Sequence, residues 1–61
     1  MTLRQAIKME KVIEVELDLY LTEDGRILRY DRYRKGNHKW VDLETAVVYR
    51  NFFEAYYDLP Y

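Results

Sequence analysis

Over residues 13–21 an apolar side chain recurs at every second position. Ile13, Val15, Leu17, Leu19 and Leu21 alternate with Glu14, Glu16, Asp18 and Tyr20. A period of two belongs to a β-strand, whose successive side chains point to opposite faces. The pattern predicts one half-buried strand, its odd-numbered residues on a core and its even-numbered residues toward water or a partner. Thr22-Glu23-Asp24-Gly25-Arg26 follows, and Asp-Gly in that setting marks a hairpin. Two turns fit. A two-residue type I′ turn would place Leu28 and Tyr30 on the core face, followed by Arg32 and Arg34. A type I turn with Gly25 as a bulge would instead set Glu16 opposite Arg32 and Glu14 opposite Arg34 on the outer face. One residue of register separates the two and exchanges the faces of the next strand, so both stay open.

A second strand is expected over residues 27–34, a turn at Lys35-Gly36-Asn37-His38, and a short third strand at Lys39-Trp40-Val41. Asp42 then has the character of a helix N-cap, with Glu44 in the first turn and Val41 and Ala46 placed for a hydrophobic staple. The helix would run from Leu43 to about Asp58. Val48, Phe52, Ala55, Tyr56 and Leu59 share one face, flanked by Tyr49 and Phe53, while Arg50, Asn51, Glu54 and Asp58 lie on the other. Pro60 would stop it, because residues before proline disfavour the α region. Thr2-Leu3-Arg4-Gln5 has capping-box spacing and supports an optional helical turn or two at 3–9. The expected class is α+β, a single domain over residues 1–61: a three-stranded antiparallel meander, one C-terminal helix packed on a sheet face, and the short N-terminal helix as an option.

A chain of 61 residues has room for only a modest core. Small domains are commonly supported by disulfides, metal or oligomerisation. There is no cysteine, so disulfides and thiolate metal sites are excluded; with a single histidine, neither a metal nor a cofactor is expected. Serine is absent as well, which leaves no familiar nucleophile–base pair within one chain. The chain is therefore expected to bind rather than to catalyse, with a homodimer as its support. Residues 1–9 show no apolar signal-peptide core, and no apolar run approaches the roughly 18 residues of a membrane span. A cytoplasmic location, in a host cell, and no membrane partner are the corresponding expectations.

Charge is arranged in blocks. Glu10, Glu14, Glu16, Asp18, Glu23 and Asp24 precede Arg26, Arg29, Arg32, Arg34, Lys35 and Lys39, and the formal net charge is −1. Three constellations follow. Glu14, Glu16 and Asp18 would stand roughly 6.5–7 Å apart along a strand, close to the phosphate step of a nucleic-acid strand; such a row either imitates DNA or is a solvated face neutralised by arginines across the hairpin. Arg29, Tyr30, Arg32, Tyr33 and Trp40 form a basic–aromatic set of the kind that binds single-stranded nucleic acid, although the acidic strand beside it would cancel much of its field. Phe52, Phe53, Tyr56, Tyr57 and Tyr61 crowd the C-terminus; part of this set is core, but the arc at Tyr49, Phe53 and Tyr57 extends past one sheet face and suggests a self-association or partner surface.

The run Asp24-Gly25-Arg26, Tyr33, Lys35-Gly36, Asp42, Glu44, Tyr49 and Asn51 resembles the small phage inhibitors of uracil-DNA glycosylase. The resemblance covers residues 24–51. It implies a dimeric, one-domain protein of strands plus a helix that looks like DNA to the enzyme. It also implies an apolar pocket on the helix that grips a leucine of the enzyme; Leu43 stands where the family has Phe, and Tyr49 is the match for its Tyr. The expected function is thus a phage-type inhibitor that binds and occludes a host protein, such as uracil-DNA glycosylase, through Glu14, Glu16 and Asp18 and an apolar anchor of Leu43, Tyr49, Phe53, Tyr56 and Tyr57. The rivals are a small nucleic-acid-binding domain using the basic–aromatic set, and a purely structural or regulatory subunit.

Overall fold

The structure, a computed structural model, describes residues 1–59. Helix α1 (Leu3–Lys8) begins at the expected capping box: the Gln5 amide donates to Thr2 Oγ1 at 3.2 Å and the Thr2 amide donates to Gln5 Oε1 at 2.9 Å. Glu10, at φ 61°, reverses the chain into the sheet.

The strand expected over residues 13–21 is two strands. β1 (Val12–Glu16) and β2 (Leu19–Thr22) pair antiparallel, and the chain turns at Leu17-Asp18. Asp18 sits at φ 61°, a left-handed conformation that Asp tolerates better than most residues. The alternation runs through both arms of the hairpin, so periodicity alone conceals the break. Its phase is also opposite to expectation. Val12, Tyr20, Thr22 and Leu28 are buried, while Ile13, Val15 and Leu17 are exposed. Tyr20 carries more buriable area than Leu19 or Leu21, and the next turn places it beside Leu28. That turn is the bulged one. The Gly25 amide donates to Thr22 O at 3.1 Å, the Thr22 amide donates to Arg26 O at 2.9 Å, and Gly25 takes φ 87°.

β3 (Ile27–Tyr30) pairs with β2 and with β4 (Trp40–Asp42), and residues 31–39 form the loop between β3 and β4. The helix expected from 43 does not start there. The Asp42 carboxylate does accept amides of the following turn, from Glu44 at 2.9 Å and Thr45 at 3.3 Å. That turn closes at once on Ala46, at φ 64°, and returns as β5 (Val48–Tyr49) against β4. Thr45, Val47, Val48 and Tyr49 favour strands over helix, and they override the capping signal. Helix α2 (Phe52–Tyr57) is capped instead by Asn51, whose Oδ1 accepts the Glu54 amide at 2.9 Å. It ends at Asp58 in the left-handed conformation. Pro60, the expected stop, lies outside the described residues.

The result is a five-stranded antiparallel meander in the order β1-β2-β3-β4-β5 rather than three strands, within the expected α+β class. Both helices pack on the same face. One cluster joins Ala6 of α1 and Phe52 and Ala55 of α2 to Val12, Tyr20, Leu28, Trp40 and Tyr49 of the sheet. Trp40 is its hub, with the rings of Tyr20, Tyr30 and Phe52 at 5.6, 5.3 and 5.4 Å.

Candidate protein-binding surfaces

The end of α2 is tied to the β2–β3 turn. The Arg26 guanidinium donates from Nε to Asp42 Oδ2 at 3.1 Å and from a terminal nitrogen to Tyr56 O at 2.9 Å. Burial would push the Asp42 carboxyl up, but the amides of Glu44 and Thr45 and the Arg26 charge outweigh it and hold the carboxyl below its ordinary range. The Tyr56 hydroxyl donates to Glu23 at 2.8 Å, and the carboxylate it faces, reinforced by burial, pushes it up to about 12. The Tyr49 hydroxyl donates to Asp58 at 2.5 Å; burial first, and then the Asp58 carboxylate, push it up to about 12.

These ties hold open a groove of about 430 Å³ between the turn and the helix, lined by Glu23, Asp24, Arg26, Tyr56, Tyr57 and Asp58. Among the described residues three carboxylates line it, and the one cation, Arg26, is already turned onto Asp42. Beside it, Phe53 and Tyr57 stand one helical turn apart with ring centroids at 4.9 Å, and 46% and 47% of each is exposed. Tyr57 therefore belongs both to an apolar patch and to an acidic groove.

The opposite side of the molecule carries a second surface. Both helices cover the face that holds Tyr20, Leu28 and Trp40, so among the described residues no layer lies on the other face of the sheet. Its side chains fall in two rows across the strands. Ile13, Leu21 and Ile27 are in register in one; Glu16, Leu19, Arg29, Val41 and Val48 are in register in the other. Ile13 is 59% exposed and Ile27 41% exposed. Apart from Glu16 and Arg29, the six residues of these rows are all aliphatic, and Val15 joins them as the extra residue of a bulge that sets both it and Glu16 against Leu19.

The expected acidic row is not assembled. The bulge separates Glu14, which pairs with Tyr20 on the covered face, from Glu16, which pairs with Leu19 on the other. Asp18 lies in the turn and accepts two hydrogen bonds from Arg32, at 2.7 and 2.8 Å, a pairing that lowers its pKa. The register pairs Glu16–Arg32 and Glu14–Arg34 do not arise, because the chain reverses before reaching them. The basic–aromatic set is dispersed in the same way. Trp40 is 7% exposed, Tyr30 packs on its ring, Arg29 faces the other side of the sheet, and Tyr33 stands 90% exposed in the loop. Of the apolar anchor, Phe53, Tyr56 and Tyr57 share α2, whereas Tyr49 is a buried β5 residue and Leu43 lies in the β4–β5 turn, 45% exposed. The pocket implied by the resemblance to the glycosylase inhibitors would need Leu43 and Tyr49 on one helix, and neither is on a helix here. Sequence reasoning missed Glu23, Asp24 and Asp58 as neighbours of Tyr57, since only the docking of α2 against the β2–β3 turn brings them together.

No family model matches this chain, and no curated protein and no solved structure matches it.

Proposed function

We propose that this protein acts by binding and occluding another protein, as a homodimer and without turnover of its own. The observation that carries this reading is the Phe53–Tyr57 pair, half exposed at the edge of the acidic groove. Aromatic side chains that are held rigid and left partly bare are the usual anchors of protein interfaces. Carboxylates beside them select a partner that presents an apolar side chain next to arginine or lysine. Basic surfaces of that kind are carried by DNA-handling enzymes, so an inhibitor of such an enzyme, uracil-DNA glycosylase included, remains the form of this reading that fits the groove's charge. The anchor is then Phe53, Tyr56 and Tyr57 with Glu23, Asp24 and Asp58, in place of the Glu14–Glu16–Asp18 row.

The test is affinity capture from a bacterial lysate with the tagged chain, followed by mass spectrometry, alongside a Phe53→Asp/Tyr57→Asp variant. A partner held by the wild type and lost by the variant is the expected result. Recombinant uracil-DNA glycosylase assayed with and without the chain checks the specific form. Retention of the same partner by the variant would sink the proposal. Tight binding of a random single-stranded oligonucleotide, lost on Arg29→Ala, would replace it with the nucleic-acid reading.

A further inference from the structure

We propose that a second copy of this chain packs on the uncovered aliphatic sheet face, about a two-fold axis that runs along β2. The proposal rests on the homodimer proposed above and assigns it a surface and a symmetry. An apolar sheet face normally lies against another layer, and within this chain both helices are on the opposite side. What specifies the occupant is the position of the two charges on that face. Glu16 and Arg29 lie in one row, in register with Leu19 and on either side of it, one strand away in each direction. Among the described residues neither has a charged partner within ion-pair distance.

A two-fold axis along β2 exchanges the β1 side of one copy with the β3 side of the other. Glu16 then lies over Arg29 of the second copy, and Arg29 over its Glu16. The same operation stacks Leu19 on Leu19 and Leu21 on Leu21, and lays Ile13 over Ile27. Sheets packed face to face are about 10 Å apart, and extended Glu and Arg side chains meet across that gap. An axis along β3 would overlap all five strands, but it would set Arg29 on its own copy inside an apolar interface. Like charges directly opposed there are strongly disfavoured. The arrangement along β2 neutralises both charges twice and still buries the row of leucines. The self-complementarity is what an isologous interface requires, and an unrelated partner would have no reason to match it.

Charge reversal tests it. Glu16→Arg and Arg29→Glu are made singly, and each is confirmed folded by circular dichroism. Self-association is followed by sedimentation velocity from about 10 μM to about 1 mM. In each single variant the facing charges repel at both symmetry-related positions, and self-association is expected to weaken about tenfold or more. In a one-to-one mixture, the chain with two arginines faces the chain with two glutamates. A heterodimer is expected, at least as tight as the wild-type homodimer and identified by native mass spectrometry. Such complementation is beyond any effect confined to one chain. A mixture that stays as weakly associated as its parts would overturn the interface. A wild-type chain that is monomeric throughout would overturn both this interface and the homodimer. Dimers indifferent to both reversals but lost on Phe53→Asp would keep the homodimer, move it to α2 and overturn the assignment made here.

Discussion

Asp42 shows how one residue can carry a correct local signal toward a different structure. Its spacing from Glu44 and Thr45 is that of a cap, and its carboxylate does collect their amides. It also takes the Arg26 guanidinium, with the two side chains 5% and 18% exposed. Asp42→Ala is therefore expected to cost more than the ~1 kcal/mol of a lost cap, about 3 kcal/mol, because it strands a largely buried charge. Urea titration measures the difference. The sign of the pH dependence follows from the lowered carboxyl pKa. The folded state binds that proton less readily than the unfolded chain, so Asp42 contributes stability above its ordinary value near 3.8, lost as pH falls through the folded pKa. Asp42→Asn should flatten the acid limb below about pH 4. An unchanged acid limb would show that Arg26 is held by something else.

At the scale of elements, the sequence was legible wherever one signal acted alone and misleading where two competed. Thr2 and Gln5 cap α1 as their spacing suggests, and Gly25 turns the chain where Asp-Gly stands. The break at Leu17-Asp18 carries no glycine or proline, and alternation survives a hairpin unchanged, so nothing in the pattern marks it. The burial phase was hidden for a related reason: apolar residues occupy both faces of β2, and only the aromatic ring of Tyr20 tips the choice. Around residues 43–48 the cap at Asp42 competes with the β-branched residues Thr45, Val47 and Val48, and the local sequence does not reveal the winner. Ala46 discriminates the two outcomes by sign. In a helix interior, Ala46→Gly costs about 1 kcal/mol. In the hairpin, Ala46 sits at φ 64°, where a Cβ is penalised and glycine is not, so the same change should stabilise the protein by about 1 kcal/mol. A higher denaturation midpoint at an unchanged denaturant slope is the expected result, and a lower midpoint would restore the helix.

At the scale of the whole molecule the two surfaces lie on opposite sides of one sheet, and that separation makes their roles independent. α2 carries the Phe53–Tyr57 patch on the outside of the helical layer, while Leu19 and Leu21 belong to the face with no layer on it. A dimer formed through the sheet faces leaves both acidic grooves pointing outward, so each assembly presents two anchors. Against an immobilised or multimeric partner, the second anchor binds at the effective concentration set by the first, and apparent affinity rises without any new contact. Leu21→Glu is therefore expected to give a monomer that still binds the partner at a single site with unchanged intrinsic affinity, but loses at least tenfold in apparent affinity on a densely coated surface. Phe53→Asp with Tyr57→Asp is expected to give the converse, an intact dimer that captures nothing. Surface plasmon resonance at high and low partner density reads both, with sedimentation reporting the state of association. If Leu21→Glu instead removes binding at low density while the chain stays folded, the partner uses the sheet face, and the division of labour between the two sides of the molecule fails.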